Sequence, residues 1–574
     1  MLGLVAHLTG HPAEACALME QAIAANPTQP FYYNNFGLVL HERGDFEQAA
    51  AAFDTALRLQ PNYADAHYNL GNTRACQGRR DDAIRAYRTT LALQPGIAEA
   101  HNNLGASLLN AGDLDAAFSE FTTASRLRPD LSALYYANLG SVLWEQAQID
   151  AALEYYRHSV ALDPRNAAHH SNLVHASFFH PADDPTAIAR EEKAWSWQHA
   201  EPLHCLIRAH TNDRSPDRRL RVGYVSPDFR DHVVGRNLLP LLREHDREQF
   251  EIVCYCGSVV PDAITERFRA LASLWRDTTR LSDETLAEQI RTDRIDILVD
   301  ASLHLPGNRL PVFARKPAPL QVSFAGYPGG TGLATIDCHL SDPHLGGEDP
   351  KAIPLADSFW CFDPLDDAPA VDPLPALRNG CVTFGCLNKF AKCNDRVLAL
   401  WSRVLREVAD ARLLILSPRG SHRERTLVQF ERSGVERGRV EFTSAKPRAE
   451  YLALHHRIDL ILDTFPYNGH TTTCEALWMG VPVVSLAGKT TVSRGGLSIL
   501  SNAGLAELVA HSDDQFVAIA RGLAGDIQRL ALLRATLRAR MKASPLMDGP
   551  RFARSIEAVY RSIWKRWCAH RDAS

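Results

Sequence analysis

The stretch DTFPYNGHTTTCEALWMGVPVV, from Asp463 to Val484, sets a histidine and three threonines in a row between two apolar runs. The first run reads as a strand ending at Asp463, and the segment after Gly469 starts a helix. His470, Thr471, Thr472 and Thr473 therefore stand at a helix N-terminus, beyond the carboxyl end of a strand. The first amides of a helix lack internal partners, and that end of its dipole is positive. Threonine hydroxyls add donors, and Gly469 lets backbone approach closely. This chemistry suits an anion, and a diphosphate in particular. The plainer alternative is a threonine N-cap, but a cap needs one threonine and no histidine.

Other strand ends carry further candidates. GYVSPDFRDHVVG places Asp228 and His232 after a strand and lacks the G-x-G-x-x-G spacing of ordinary dinucleotide sites. A histidine here can serve as a general base near neutral pH, or simply cap and pack a helix. FGCLNKFAKCND supplies Lys389 and Lys392, three apart, able to neutralise a departing phosphate or merely to face solvent. SAKPRAEYLALHH supplies Lys446, Arg448 and Tyr451, usable for a ribose and a base ring, and AGYPGGTG offers a flexible backbone loop around Gly329. His304, in DASLHLPGNRL, is a weaker candidate. No cluster has metal-ligand spacing and no D-x-D pair follows a strand. The expectation is a mechanism without metal or cofactor, in which helix dipole, threonine and lysine do the cation's work.

These loops need a parallel sheet to hold them. RRLRVGYVS, FEIVCYC, IDILVDAS and APLQVSFAG read as strands, with GRNLLPLLREHD, DAITERFRALASLW and TLAEQIRTDR as helices between them. Such alternation predicts a parallel sheet covered on both faces, over residues 217–375. DDAPAVDPLPALRNG, residues 366–380, is proline-rich and reads as a linker. The alternation restarts with CVTFGCLN, ARLLILSP, GRVEFTS, IDLILDTF and VPVVSLAG, giving a second domain over 376–545 and a final amphipathic helix within 546–574. Ligands of open parallel sheets bind beyond the carboxyl ends of the strands, so two such domains would share one cleft.

The first third is repetitive. Prolines recur at Pro27, Pro61, Pro95, Pro129 and Pro164, and glycines at Gly37, Gly71, Gly105 and Gly140, at spacings of 34 or 35. Gly44, Gly78 and Gly112 mark a turn inside each unit. The period, with two short helices per unit, looks like the tetratricopeptide repeat. It predicts a solenoid over residues 1–180, followed by a helical connector over 181–216. The first 28 residues, with Gly3 and Gly10 in phase, read as the tail of an earlier unit. Asn35, Asn69, Asn103, Asn138 and Asn172 keep the same period. Asparagine is a modest helix former. The amides either satisfy groups between adjacent repeats, or line a groove and bond the backbone of an extended peptide, or both.

Composition narrows the class. The chain has 574 residues, 45% hydrophobic and 22% charged, with a formal net charge of -5. No basic block predicts nucleic acid as the main partner, and no apolar run is long enough to span a bilayer. The N-terminus lacks the pattern of a secretory signal. Twelve cysteines without a C-x-x-C read as reduced thiols of a cytoplasmic protein; Cys254 and Cys256 fall on one face of a strand.

Repeats followed by GYVSPDFRDH, FAGYPGGTG, FGCLNKFAKCN and LDTFPYNGHTTTCEALWMGVPVV resemble the O-linked N-acetylglucosamine transferase family, with the plant SPINDLY-type protein O-fucosyltransferases as close relatives. The resemblance implies two Rossmann-like domains of glycosyltransferase B type, a UDP-sugar donor, and inverting transfer to serine or threonine of proteins. It implies that His232 is the family's proposed base with Asp228 as loop partner, that Lys392 contacts the donor diphosphate, and that His470, Thr471 and Thr472 form the phosphate site. Lys389 stands where animal enzymes have glutamine, Glu475 where they bind ribose with aspartate, Arg448 in place of lysine, and Tyr451 in place of the histidine that stacks on uracil. These departures leave the sugar open: N-acetylglucosamine leads, and fucose from GDP-fucose or another sugar is the alternative. A short chain of this kind looks bacterial. A peptide-binding scaffold with an inactive transferase half is the reading from a different class. The retained His232, Lys392 and His470–Thr472 argue against it.

Overall fold

Glycine and aromatic residues pair off through the repeats. In the computed structural model, which describes residue 6 and residues 10–346, 349–365 and 368–569, Gly37, Gly71 and Gly105 each lie on the first helix of a pair. A side chain there would meet the ring of Phe53, Tyr87 or Phe121 at 2.6, 2.6 or 2.8 Å. The 34-residue period is thus a packing contact, a bare backbone on one helix against a ring on the next. Gly44, Gly78 and Gly112 take left-handed φ values of 87, 72 and 80° at the turn between them. The pairs are Pro30–Arg43 with Phe46–Leu59, Ala64–Cys76 with Arg80–Leu93, and Ala98–Ala111 with Leu114–Leu127. Gly3 lies outside the described residues.

The chain divides into two compact units, Met1–Val142 and Leu143–Ser574. The boundary falls inside the fourth repeat. Helices Ile149–Leu162 and Ala167–Ser177, which the sequence pattern assigns to the solenoid, belong to the second unit, as do the connector helix Pro185–Trp195 and its π-helical continuation Ser196–Ala200.

The second unit holds two all-parallel sheets. The first comprises β1 (Leu220–Ser226), β2 (Phe250–Cys256), β3 (Leu274–Asp277), β4 (Ile297–Asp300), β5 (Leu320–Ser323), β6 (Cys338–Ser341) and β7 (Ala352–Pro354), in the order β3-β2-β1-β4-β5-β6-β7. The second comprises β8 (Thr383–Cys386), β9 (Arg412–Leu416), β10 (Val440–Thr443), β11 (Leu460–Leu462), β12 (Val483–Leu486) and β13 (Val509–Ala510), in the order β10-β9-β8-β11-β12-β13. Both are doubly wound, with order reversing beside β1 and β8, where open sheets make a ligand crevice. The apolar runs of β1, β2 and β4 are buried on both faces, as expected of central parallel strands.

Four strands escaped the sequence pattern. β3 lies inside the run read as helix DAITERFRALASLW: that helix ends at Leu271 and Leu274–Asp277 pairs with β2 instead. β6, β7 and β13 are two to four residues long, too short to show a period. The proline-rich segment is also no free linker. Of its described part, Pro369, Ala370 and Asp372 give their carbonyls to Arg538, His456 and Arg534 at 2.7, 2.9 and 2.6 Å. The final helix Gly549–Ala569 returns to the first sheet's domain. There Glu557 accepts from His245 Nδ1 and Asp246 N at 2.9 and 2.8 Å, and Tyr560 meets Tyr224 at 3.2 Å. All twelve cysteines are free, with Cys254 and Cys256 buried.

Candidate active site

Asp463 organises the opening loop. It follows β11, and its Oδ1 accepts from Gly469 N (2.7 Å), Thr464 N (2.8 Å) and Asn388 Nδ2 (3.1 Å), while Oδ2 accepts from Ser485 Oγ (2.6 Å). Burial pushes this carboxyl up, and the hydrogen bonds from Ser485, Gly469 and Thr464, with Lys392, pull it partly back. Asn468 closes the other side, donating to Thr464 O at 2.9 Å and accepting from Gly496 N at 3.2 Å. The loop thus delivers helix Thr471–Trp478 with His470 at its N-cap position.

The amides of Thr473 and Cys474 already bond His470 O at 3.0 and 3.1 Å, which leaves those of Thr471 and Thr472 for a ligand. The Thr472 hydroxyl donates to Asn388 Oδ1, and that of Thr473 to Gly469 O at 2.8 Å. The His470 ring is packed against Trp360 (4.8 Å between centroids) and Tyr467 (5.1 Å). Gly495 makes room for it, since a side chain there would come within 2.3 Å of the ring. Burial, then Lys392, pull the imidazole down to about 3, so it is neutral at pH 7. Its Nε2 meets the Val492 carbonyl at 3.3 Å, which assigns the proton to Nε2 and leaves Nδ1 an acceptor. The groups left to donate to an anion there are therefore the amides of Thr471 and Thr472, beside a neutral histidine.

Lys392 follows β8. Its Nζ donates to Asn468 O at 2.8 Å and lies 4.2 Å from the centroid of Tyr467. Burial brings it down to about 8, against the pull of Asp463. It stands beside the same helix N-terminus. Lys389 does not share this setting. It is exposed, pairs with Glu145 at 2.7 Å and covers the Trp144 ring at 4.4 Å, so it is held by the end of helix Ser132–Glu145.

After β10, Arg448 donates to Glu475 Oε1 at 2.6 Å and to Pro364 O at 3.2 Å. Glu475 is nearly inaccessible, so its charge is compensated rather than solvated. Tyr451 packs edge-on to His455 at 5.8 Å, and its hydroxyl is buried beside Glu475. Lys446 is exposed and lies 3.6 Å from Glu450.

The first sheet contributes His232 and Asp228 beyond β1. His232 is the N-cap of helix Val233–Glu244. Its Nδ1 lies 3.3 Å from Asp228 Oδ2 and 3.4 Å from Val234 N. The two contacts demand opposite protonation of Nδ1; the carboxylate, charged and nearer, favours Nδ1–H, which leaves Nε2 with the basic lone pair. Burial lowers this imidazole; Asp228 raises it, and Arg230, Arg236 and Lys389 lower it further. Gly235 keeps the loop tight, because a side chain there would strike Arg230 O and Asp228 O. His304, by contrast, is fully buried between Ser171 Oγ (3.2 Å) and Thr331 O (3.1 Å) and packs on Trp195. It belongs to the core, not to the cleft. Gly329 packs against Tyr327 and Phe178.

The two sheets meet at this edge. Thr491 Oγ1 bonds Pro328 O at 2.6 Å, Ser498 Oγ bonds Asp342 at 2.5 Å, and Arg236 reaches Glu475 at 3.3 Å. Asn388, Asp463, Trp360 and Arg236 were not singled out in the sequence. Asn388 and Arg236 had a signal, the first beside Lys389 at a strand end, the second one helical turn after His232.

In the repeats the periodic amides are bonded between neighbours. Asn69 donates to Asn34 Oδ1 (3.0 Å), Asn103 to Asn72 Oδ1 (2.9 Å), and Asn138 to Asn102 Oδ1 (2.8 Å). Asn35 and Asn172 are half-buried. Among the described residues no helix is long and apolar enough to cross a membrane, and no group of three or more His, Cys, Asp or Glu stands ready for a metal ion.

Comparison with known proteins agrees in extent. The model for glycosyl transferase family 41 matches residues 163–346 and 374–556, and tetratricopeptide models match 37–78, 64–97 and 96–165. A Petunia hybrida protein described as "Probable UDP-N-acetylglucosamine--peptide N-acetylglucosaminyltransferase SPINDLY" is 37% identical over 420 residues, 71% of this chain and 45% of the relative. Its Arabidopsis thaliana counterpart is also 37% identical, over 71% of this chain and 46% of that one. The chain thus spans less than half the length of these plant relatives. A solved mutant of the Thermobaculum terrenum O-GlcNAc transferase superposes with a TM-score of 0.83 at 35% identity, covering 88% of this chain and 98% of that one.

Proposed function

Because this chain belongs to glycosyl transferase family 41, we propose that it transfers N-acetylglucosamine from UDP-GlcNAc to serine or threonine of proteins, with inversion and without a metal ion. The observation that carries the reading is one cleft edge with Lys392 and the Thr471–Thr472 amides on the second sheet and His232 on the first. The diphosphate lies on the helix N-terminus with Lys392 beside it. The acceptor hydroxyl attacks the anomeric carbon from the face opposite the diphosphate. The bond to the diphosphate oxygen breaks, charge grows there, and Lys392 meets it. His232 Nε2 takes the hydroxyl proton or orients the hydroxyl. Glu475, pre-set by Arg448, receives the ribose hydroxyls, and the half-buried Tyr451 ring borders the base.

The acceptor is an extended segment of a protein, brought by the repeats. The asparagine ladder serves the solenoid first, since its amides are bonded across repeats, and offers its remaining groups to a peptide. No membrane or nucleic acid enters this reading, and the cytoplasm is its compartment.

A donor panel tests it. UDP-GlcNAc, UDP-glucose and GDP-fucose are titrated by calorimetry and then offered with a protein acceptor. Binding and transfer from UDP-GlcNAc are expected. Preference for GDP-fucose would move the chain to fucosyl transfer, and binding of no nucleotide sugar would leave a peptide-binding scaffold.

A further inference from the structure

Arg236 lies one helical turn beyond His232, on helix Val233–Glu244. Its Nε and Nη2 hold Asp231 Oδ1 at 2.8 and 2.7 Å. Its Nη1 crosses to the second sheet's domain and meets Glu475 Oε1 at 3.3 Å, the oxygen that also takes Arg448 at 2.6 Å. Arg236, Glu475 and Arg448 sit largely out of bulk solvent, with side chains 15, 4 and 10% exposed, whereas Asp231 is on the surface at 43%. Asp231, next to His232, is fixed in turn by its own amide, which donates to Asp262 at 2.7 Å. A continuous line of charged contacts therefore runs from the loop of His232 through Asp231 and Arg236 to Glu475 and Arg448.

The geometry of this line is uneven. Both guanidinium groups bond Oε1, so Oε2 accepts from neither of them. The Arg448 bond is short and lies within one domain; the Arg236 bond is long and spans two. A hydroxyl that draws on Glu475 alters the longer bond most, and Arg236 is braced at its other end on the residue beside His232.

We infer that Arg236 is a positioning residue that ties the acceptor-side loop carrying His232 to the donor-side carboxylate Glu475, so that a nucleotide ribose on Glu475 sets the loop for transfer. The inference rests on the reading of Glu475 as the ribose ligand. It gives Arg236 no contact with the reacting atoms. Its effect lies in alignment, where a small displacement of a base is costly, and in field, because Arg236 is one of the charged groups facing His232, with Asp228, Arg230 and Lys389.

The test uses the full chain with Arg236→Gln, Arg236→Lys and Glu475→Gln. UDP affinity is read by calorimetry, and kcat and KM for UDP-GlcNAc by transfer to a protein acceptor across pH. Arg236→Gln is expected to hold UDP affinity within about threefold, because Arg448 keeps Glu475 in place, and to lower kcat about tenfold or more. Loss of the nearby cation also lets His232 protonate at higher pH, so the acidic limb of kcat/KM moves up. Arg236→Lys keeps the charge but loses the fork, so kcat falls while the limb stays. Unchanged kcat and an unmoved limb in Arg236→Gln overturn the tie. So does a loss of UDP affinity as large as the loss of kcat/KM, which would make Arg236 a plain binding residue. Glu475→Gln separates the premises. If it leaves UDP affinity unchanged, the ribose reading fails; if it weakens UDP while Arg236→Gln behaves as wild type, the tie alone fails.

Discussion

Lys392→Met tests the leaving-group role most directly. Methionine keeps much of the stem and removes the charge. In the free protein Lys392 has a backbone carbonyl at 2.8 Å and the Tyr467 ring face as near partners, and burial holds it near 8. It is therefore roughly nine-tenths protonated at pH 7. Two unit charges about 4 Å apart interact by about 4 kcal/mol at an effective dielectric constant of about 20. Only the charge added as the sugar bond breaks counts toward kcat. If half to all of that energy is realised, kcat falls about 30- to 1000-fold, at about 1.4 kcal/mol per decade. UDP affinity changes less, because the helix amides and threonines remain. The assay pairs single-turnover transfer from UDP-GlcNAc with calorimetry of UDP. The sign with pH also follows. An anion beside Lys392 raises its pKa, so UDP binding is strongest below about 8 and weakens as pH rises through that value, with uptake of a proton. Lys392→Met should bind UDP without that uptake. A kcat within threefold of wild type, or equal losses in kcat and UDP affinity, would refute the argument.

Replacing both Thr471 and Thr472 with alanine should lower UDP affinity about tenfold, one hydrogen bond to a charged group being worth about 1.5–3 kcal/mol. The loss stays at the low end because the Thr472 proton must first leave Asn388; calorimetry reads it. Gly495→Ala puts a methyl against a His470 ring already walled by Trp360 and Tyr467. It should cost about 1–3 kcal/mol in thermal unfolding and weaken UDP as well. In the repeats, alanine at Asn69, Asn103 and Asn138 removes four cross-repeat bonds of about 0.5–1.5 kcal/mol each. Tm should fall and KM for long acceptors rise with UDP affinity intact, whereas an unchanged KM would remove the amides from acceptor binding. EDTA should leave transfer unaltered, and activity lost on chelation and restored by a divalent cation would defeat the metal-free reading.

Legibility in the sequence tracked the range of the interaction. The repeat showed because Gly37–Phe53 and its successors recur at one spacing within one helix pair. Central strands showed because burial on both faces makes an apolar run; β6, β7 and β13 did not, being edge or near-edge strands of two to four residues held by their neighbours. His470, Thr471 and Thr472 could be placed at a helix start from local pattern alone. The fates of the charged residues could not. Lys389 and Lys392 look alike in FGCLNKFAKCND, yet one is held by Glu145 and the other by Asn468 O, and nothing within a few residues distinguishes them. His304 reads as a strand-end histidine and becomes core because Ser171 and Trp195 close over it from far away in sequence.

The same contrast bears on how the site is prepared. Where a diphosphate would lie, the cation is held loosely: Lys392 has a carbonyl dipole and a ring face, and its nearest counter-charge, Asp463, already accepts four hydrogen bonds of its own. An arriving anion has little to displace there. Where a ribose would lie, the side chains are locked: Arg448 and Arg236 hold Glu475 out of water, so the carboxyl group is aimed before any ligand comes. A hydroxyl is a weak ligand and gains from a pre-set acceptor. A diphosphate is a strong one and can do its own arranging. On the proposed reading the donor site would be rigid where recognition must be fine and yielding where charge must grow, and that division would put the catalytic share on Lys392.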